Sequence, residues 1–421
     1  MRALSESLAV RRYLQRHAEQ PLPAPPSGMK WQQVLVIPAY RESPELVRTL
    51  QTLPAAQGRT LVVLVVNRPD TDADTSVNDS LRDAIRALPP AADDAGQGLL
   101  FFLREDTDLL LLDLEAAIGA VPAALGVGLA RKCGCDMALQ WMVDGAIATP
   151  WIYCTDADAT LPDDYFSRLE AVDAPAAVFP FVHVKAEDPA CHEATLLYEQ
   201  CLAHYVSGLA LARSPYAFHT IGSCIAIQAE AYAQVRGFPQ RAGAEDFYLL
   251  NKLAKLAPVV SLEGDPVRLA ARVSNRVPFG TGPAVKAIMA DGPLEEQPLF
   301  YAPGVFDALQ AVLVSVPFWA AQSGDEPIKL SSERPLDTEL TAEVVAVLEV
   351  MKLGDALAHC RRQSNDKEQF ARQFHQWFDG FRTLKFIHAL TARAMPKVSL
   401  SQLQGSSPVN ERWKSTPSGK A

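Results

Sequence analysis

At 421 residues the chain is long enough for two or three folding units, and its 48% hydrophobic content is ordinary for a globular protein. A net charge of −10 with no Lys/Arg block excludes a nonspecific grip on nucleic acid, so an anionic ligand needs local help from a metal or a few arginines. Seven irregularly spaced cysteines form no disulfide framework and point to a reducing cytoplasm.

The N-terminus has Arg2, Arg11 and Arg12 but no apolar core of a secretory signal. Leu4, Leu8, Val10 and Leu14 share one helical face. Packing on the protein body is the expected use of that face, with peripheral contact to an anionic membrane as the alternative. No membrane span is expected, because the most apolar stretch, Ile118 to Ala130, is short and interrupted by Gly119, Pro122, Gly126 and Gly128. Pro21 to Ser27 reads as an extended lead-in.

Val34 to Ile37 is a β-branched run expected to be a strand stopped by Pro38, with a helix from Pro44 to Leu53. Leu61 to Val66 repeats the pattern and ends in the polar turn Asn67-Arg68-Pro69-Asp70-Thr71-Asp72, before a helix over Val77 to Leu88. Leu99 to Leu103 is a third apolar run. Strands alternating with helices predict an α/β fold with a doubly wound, mostly parallel sheet. Gly126-Val-Gly128-Leu-Ala-Arg131 has the start of a dinucleotide-binding turn, but its last glycine and its preceding strand are missing, which argues against a Rossmann dehydrogenase. In the helix that follows, Arg131 and Lys132 are placed to neutralise phosphate. Adjacent positions on a helix diverge, so one of the two at most reaches it.

Trp151 to Cys154 is an apolar strand that gives way to Thr155-Asp156-Ala-Asp158. Ligands of open α/β sheets collect beyond the carboxyl ends of the strands, where two carboxylates one residue apart can converge on a hard cation and clamp a diphosphate. The plainer alternative is an acidic turn capping a helix that begins at Pro162, with Asp163 and Asp164 at its positive end. Val178 to Val184 is a further strand and Glu193 to Ala212 a long helix. The Cys191-His192 to Cys201 and His204 segment matches no common zinc spacing and reads as helix interior. Gly222-Ser223 then turns into another strand, a short helix follows at Glu230 to Val235, and Glu245-Asp246 opens a helix. There the two carboxylates either serve the helix dipole or supply a general base.

Val34 to Tyr40, Asp156-Ala-Asp158, Gly222-Ser223 and Arg236-Gly237-Phe238 leading to Glu245-Asp246 together resemble the family 2 glycosyltransferases over about Trp31 to Ala284. The resemblance implies a GT-A fold and transfer of a sugar from a nucleotide-diphosphate donor to an unknown hydroxyl acceptor, a glycan, a lipid-linked molecule or a small molecule. It implies Asp156 and Asp158 as ligands of Mg²⁺ or Mn²⁺, Glu245 and Asp246 as the catalytic pair with Asp246 as base, and Gly222 beside the donor. By the same matching, Pro38, Ala39, Tyr40 and Glu42 meet the nucleoside, while Asn67 stands where the family carries a Ser- or Asp-rich turn. A nucleotidyltransferase and a silent nucleotide-sugar-binding protein are the rival readings.

Arg272 and Arg276 lie in a strand-and-loop stretch near Gly280 and Gly282, where they serve either as a lid over the diphosphate or as a surface charge cluster. Beyond Leu299, Val305 to Phe318, Glu339 to Met351 and Asp366 to Leu390 read as helices. Trp319, Phe370, Phe374, Trp377, Phe378 and Phe381 form an aromatic stripe expected to be core, the alternative being an acceptor-binding or dimerising surface. The expected organisation is a lead-in over 1–30, a transferase domain over 31–290, a helical region over 291–398 and a disordered tail over 399–421.

Overall fold

Buried apolar side chains fill the space on both sides of a central sheet and, separately, between a set of later helices. The computed structural model describes residues 4–91, 99–271, 280–322, 328–331 and 336–405. Residues 1–192 and 220–284 make one compact unit, and 193–219 and 285–421 the other.

The first unit begins with α1 (Leu8–Arg16), N-capped by Ser7, whose side chain accepts from the Val10 amide. Val10 and Tyr13 are fully buried, so α1 packs on the body of the unit, while Leu8 stays exposed. The sheet starts with β1 (Gln33–Ala39), followed by α2 (Leu46–Gln51), β2 (Thr60–Val66), α3 (Asp79–Arg86), β3 (Leu100–Arg104), β4 (Thr107–Asp113), α4 (Leu114–Ile118), α5 (Gly126–Val143) and β5 (Trp151–Cys154). After β5 come β6 (Ala159–Thr160), β7 (Ala176–Val178) and β8 (Phe181–His183). The helix α6 (Pro189–Leu211) leads into the second unit, and the chain returns through β9 (Ile225–Gln228), α7 (Ala229–Gln234), α8 (Glu245–Leu253), β10 (Val260–Ser261) and β11 (Val267–Leu269).

The main sheet has the order β10-β7-β9-β5-β1-β2-β4-β3, and a smaller one has β6-β11-β8. Pairings of β1 with β2 and β5, of β2 with β4, and of β7 with β10 are parallel, whereas β9 and β3 run against their neighbours. The expected α/β fold with a mostly parallel sheet is therefore present. Because β9 is reversed, its first residue, Ile225, lies opposite Cys154, the last residue of β5. The turn entering β9 thus reaches the same edge that β1, β2 and β5 leave.

Several expected boundaries change for local reasons. β1 runs through Pro38, whose missing N–H falls after the last β5 partner, Val36. The neighbour of β2 on the side away from β1 is β4, an unforeseen leucine run, and Leu100–Arg104 forms an antiparallel edge beyond it. Val178 to Val184 is two strands in different sheets, separated at Phe179-Pro180. No α-helix starts at Pro162; a single 3₁₀ turn, Ser167–Leu169, stands there, with Asp164 paired to Arg168.

The second unit contains α10 (Pro303–Val314), α11 (Val316–Ala321), α12 (Thr338–Val350), α13 (Leu353–Arg362), α14 (Lys367–Trp377), α15 (Gly380–Arg393) and α16 (Leu400–Gly405), after α9 (Thr281–Ala290) joins it to the first. The helix expected over Asp366 to Leu390 is two, because Asp379 caps a new start by accepting from the Arg382 amide. Phe370, Phe374, Phe378 and Trp319 are buried together with Leu309, Val347 and Ile387, and Trp377 packs against the same core. The aromatic stripe is therefore core, except Phe381, which is half-buried outside that cluster. Pro303–Ala321 is long and apolar enough to cross a membrane by length and composition, which the sequence reading overlooked, but 56% of that window is buried within the protein.

Candidate active site

The site is built on α5, a helix buried on nearly every side and pressed between the sheet and the loop that leads into α8. On one side Gly134 faces the sheet, where a Cβ would lie 2.4 Å from Val36 Cγ1 and 2.9 Å from Val65 Cγ2. At its start, a Cβ on Gly128 would lie 2.5 Å from the Pro239 carbonyl oxygen, and the Gly128 amide donates to the Arg241 carbonyl at 3.0 Å. The Gly-Val-Gly sequence therefore serves backbone contact with the loop that leads into α8.

With the helix fixed in this rotation, Arg131 and Lys132 point apart. Lys132 Nζ donates to Tyr13 Oη at 2.7 Å and to Asp136 at 2.9 Å, and Asp136 also accepts from Tyr232 and from the Glu19 amide. That buried pair is fully hydrogen-bonded and holds α1 in place. Arg131 goes to the carboxyl edge of the sheet. Its Nε donates to Glu245 Oε1 at 2.9 Å and its Nη2 to Asp156 Oδ1 at 2.6 Å. Nη1 is buried and without a hydrogen-bond partner among the described residues. Burial disfavours the Arg131 charge, and Asp156 and then Glu245 more than offset it. Gly222 lies against this guanidinium, and a Cβ there would be 2.6 Å from Nη2.

The acidic turn continues β5 by one hydrogen bond, Thr155 N to Val36 O at 3.1 Å, and then closes with Ala159 N to Asp156 O at 3.2 Å. Asp156 keeps 40% of its side chain exposed, and Asp158 is half-buried in the same turn. Since β6 follows directly and the next α-helix begins at Pro189, the turn is not a helix cap.

Glu245 and Asp246 open α8 as expected, behind Ala244 in a left-handed conformation (φ 55°) that offers no side-chain cap. Glu245 is buried in the first turn of α8 and turned to Arg131. Asp246 accepts from the Phe247 amide at 2.6 Å. Its carboxyl is pushed up to about 7, chiefly by burial and next by the neighbouring Glu245 charge.

A second group gathers at the ends of β1 and β2. Tyr40 donates to Asp72 Oδ2 at 2.7 Å and Arg41 Nε to the same oxygen at 3.0 Å, while the Arg41 amide donates to Asn78 Oδ1 at 3.1 Å. Asn78 in turn donates to the Asn67 carbonyl at 3.1 Å. Arg68 bonds Glu115 and the Asp72 carbonyl, and Arg82 bonds Asp113 at 2.7 Å and Glu115 at 2.6 Å. Asn67 is buried, with its side-chain amide outside every described hydrogen bond, and Glu42 is half-buried beyond the strand end. Burial and the bond to Asp72 push the Tyr40 phenol up to about 12, so it stays a donor at neutral pH.

Arg131, Asp156, Gly222 and Glu245 thus meet, with Asp246 next to them. No described hydrogen bond joins them to the Tyr40 and Asn67 group, although Ala39 and Val66 end adjacent strands. Arg272 and Arg276 lie outside the described residues. The sequence pattern does not single out Asp72, Asn78 or Glu115, and holds Arg41 only as part of the loop Pro38 to Glu42; a polar turn after β2 is visible in it, but not that turn's closure onto the β1 loop. Among the described residues no three His, Cys, Asp or Glu side chains are preassembled around a metal position.

No protein-family model matches the chain, and no curated protein matches it. Solved structures that resemble it include S. aureus TarS, residues 1–349 with UDP, at 12% identity and a TM-score of 0.36, covering 83% of this chain and 91% of that one. Another is a mannosyltransferase from Pyrobaculum calidifontis with GDP-Man and Mn²⁺, at 16% identity and a TM-score of 0.35, covering 87% and 92%. Glucosyl-3-phosphoglycerate synthase from Mycobacterium tuberculosis matches at 14% identity and a TM-score of 0.31, over 57% of this chain and 71% of that one. Likenesses this loose fix no residue equivalences.

Proposed function

We propose that the first unit is a nucleotide-sugar-dependent glycosyltransferase acting on a hydroxyl acceptor, with Asp246 as the base. The observation that carries this reading is the convergence of the Asp156 turn and the Glu245–Asp246 helix start on one arginine, at the edge where parallel strands end. The family 2 motif order in the sequence supplies the reaction class.

In this mechanism Asp246 accepts the proton of the acceptor hydroxyl as its oxygen attacks the anomeric carbon, and the nucleoside diphosphate leaves from the opposite face, inverting that centre. A carboxyl poised near neutrality suits the step. Glu245, held by Arg131, keeps the start of α8 in place, and Arg131 lends positive charge to the diphosphate end of the site. Tyr40 and Asn67, at the ends of β1 and β2, face the nucleoside, with Pro38, Ala39 and Glu42 shaping that wall.

The residues of the acidic turn fit a hard divalent cation. Asp156 has one oxygen committed to Arg131 and 40% of its side chain open to solvent, and Mg²⁺ or Mn²⁺ is commonly held by one or two carboxylates with phosphate oxygens and water completing the set. Asp156 and Asp158 would hold it, and when bound it supplies charge neutralisation for the departing diphosphate. All seven cysteines are free, which suits a cytoplasmic setting.

Incubating the protein with a panel of nucleotide-sugars and Mn²⁺, and measuring released nucleoside diphosphate, tests the proposal. Release with sugar transfer is expected. Pyrophosphate from sugar phosphate and nucleoside triphosphate would make it a nucleotidyltransferase, and no turnover across the panel would make it a binding protein.

A further inference from the structure

Arg131 is 3% exposed, and the protein spends more structure on placing it than a phosphate contact needs. Gly222 clears its guanidinium, with a virtual Cβ 2.6 Å from Nη2, 3.0 Å from Cζ and 3.3 Å from Nε. The helix that carries it also docks the loop before α8, through the Gly128 amide on the Arg241 carbonyl and the close approach of Gly126 to Ala242 Cα, 2.7 Å for a virtual Cβ. Its two donating nitrogens face carboxylates from elements distant in sequence, Asp156 after β5 and Glu245 at the start of α8. A planar guanidinium bonded through two of its nitrogens, Nε and Nη2, fixes the angle between its partners as well as their distance, which an ammonium does not.

We propose that Arg131 is a positioning residue, a two-ended tether that holds the Asp156 turn and the Glu245–Asp246 helix start in register, so that events at the turn are felt at the base. This deepens the glycosyltransferase reading and rests on it for its catalytic consequence, but not for the mechanical coupling itself. Arg131 touches neither the acceptor oxygen nor the anomeric carbon in this role. Cutting the tether at either end loosens the other.

Amide hydrogen exchange over residues 244–248, followed by mass spectrometry on the full chain, reads that coupling without any substrate. Asp156→Asn removes the charge from the far end, and it is expected to speed exchange at 244–248 at least about threefold while exchange in β1 and β2 stays unchanged. Arg131→Lys and Gly222→Ala are expected to do the same. In turnover assays Arg131→Lys is expected to lower kcat about tenfold or more, with donor affinity, titrated separately, changed less than about threefold. The Arg131→Lys, Glu245→Gln double variant should be no worse in kcat than the more damaged single one.

Unchanged exchange at 244–248 in both Asp156→Asn and Gly222→Ala overturns the tether, as does a loss in Arg131→Lys that falls wholly on donor affinity. If Arg131→Lys does not fold, Asp156→Asn and Gly222→Ala decide. If the wild-type chain turns over no nucleotide-sugar, the transferase reading fails, and the exchange result still decides the coupling.

Discussion

Asp246 combines burial with a like charge next door, and both raise its carboxyl to about 7. A base works only when deprotonated, so kcat/KM for transfer should rise with pH through that region and level off above it. Asp246→Asn should keep donor binding and lose transfer by ~10²-fold or more; transfer at the wild-type rate would assign the proton to another group. The same shift has a stability sign. Between the ordinary carboxylate range and about 7 the folded protein binds a proton that the unfolded chain releases, so this group's contribution falls as pH rises and is fully unfavourable above 7. Asp246→Asn should therefore gain stability over wild type in urea melts at pH 8, and gain none at pH 4. Asp158→Asn belongs at this scale too: divalent-dependent turnover should vanish while the circular dichroism spectrum stays that of the wild type. Both acidic pairs were legible in the sequence because carboxylates stood where an apolar run ended or a helical run began. Which of Arg131 and Lys132 reached them was not, since that depends on how α5 is rotated, and Gly134 against Val36 and Val65 decides it.

Elements were legible where one local pattern determined them. β1, β2 and β5 are apolar runs rich in β-branched or aromatic residues, and each is a central strand. β4, with leucines in place of valines, carries a weaker strand signal and went unseen despite lying beside β2. Pro162 looked like a helix start because Asp163 and Asp164 followed it, yet Leu161, Tyr165 and Phe166 are claimed by the core beneath the sheet, and a tertiary demand overrode the local one. The loops after β1 and β2 are joined by charges no sequence pattern reveals. Arg82, 8% exposed, serves Asp113, Glu115 and Asp79. Arg82→Ala leaves the nearly buried Asp113 without its cation, while Glu115 keeps Arg68, and should cost about 3 kcal/mol in denaturant titration. Gly134→Ala forces a methyl group into Val36 and should cost about 1–3 kcal/mol by overpacking.

For the whole molecule, the division into two compact units implies that a ligand of the first unit stabilises that unit directly. A nucleoside diphosphate with Mn²⁺, at about a hundred times its dissociation constant, should add about 2.7 kcal/mol to unfolding of that unit, seen as a rise in Tm that EDTA reverses. The division into two units was only partly readable, because the segment 193–219 leaves one core and joins the other between two strands that belong to the first. No break in composition marks either crossing. α5 has a consequence that reaches beyond the residues it carries. A rod wedged without slack between sheet and loop transmits any swelling beneath it, so enlarging Val65 to Ile should push the guanidinium end outward. Such a variant would turn over poorly at temperatures where it is still fully folded, a functional lesion written into the interior rather than the cleft.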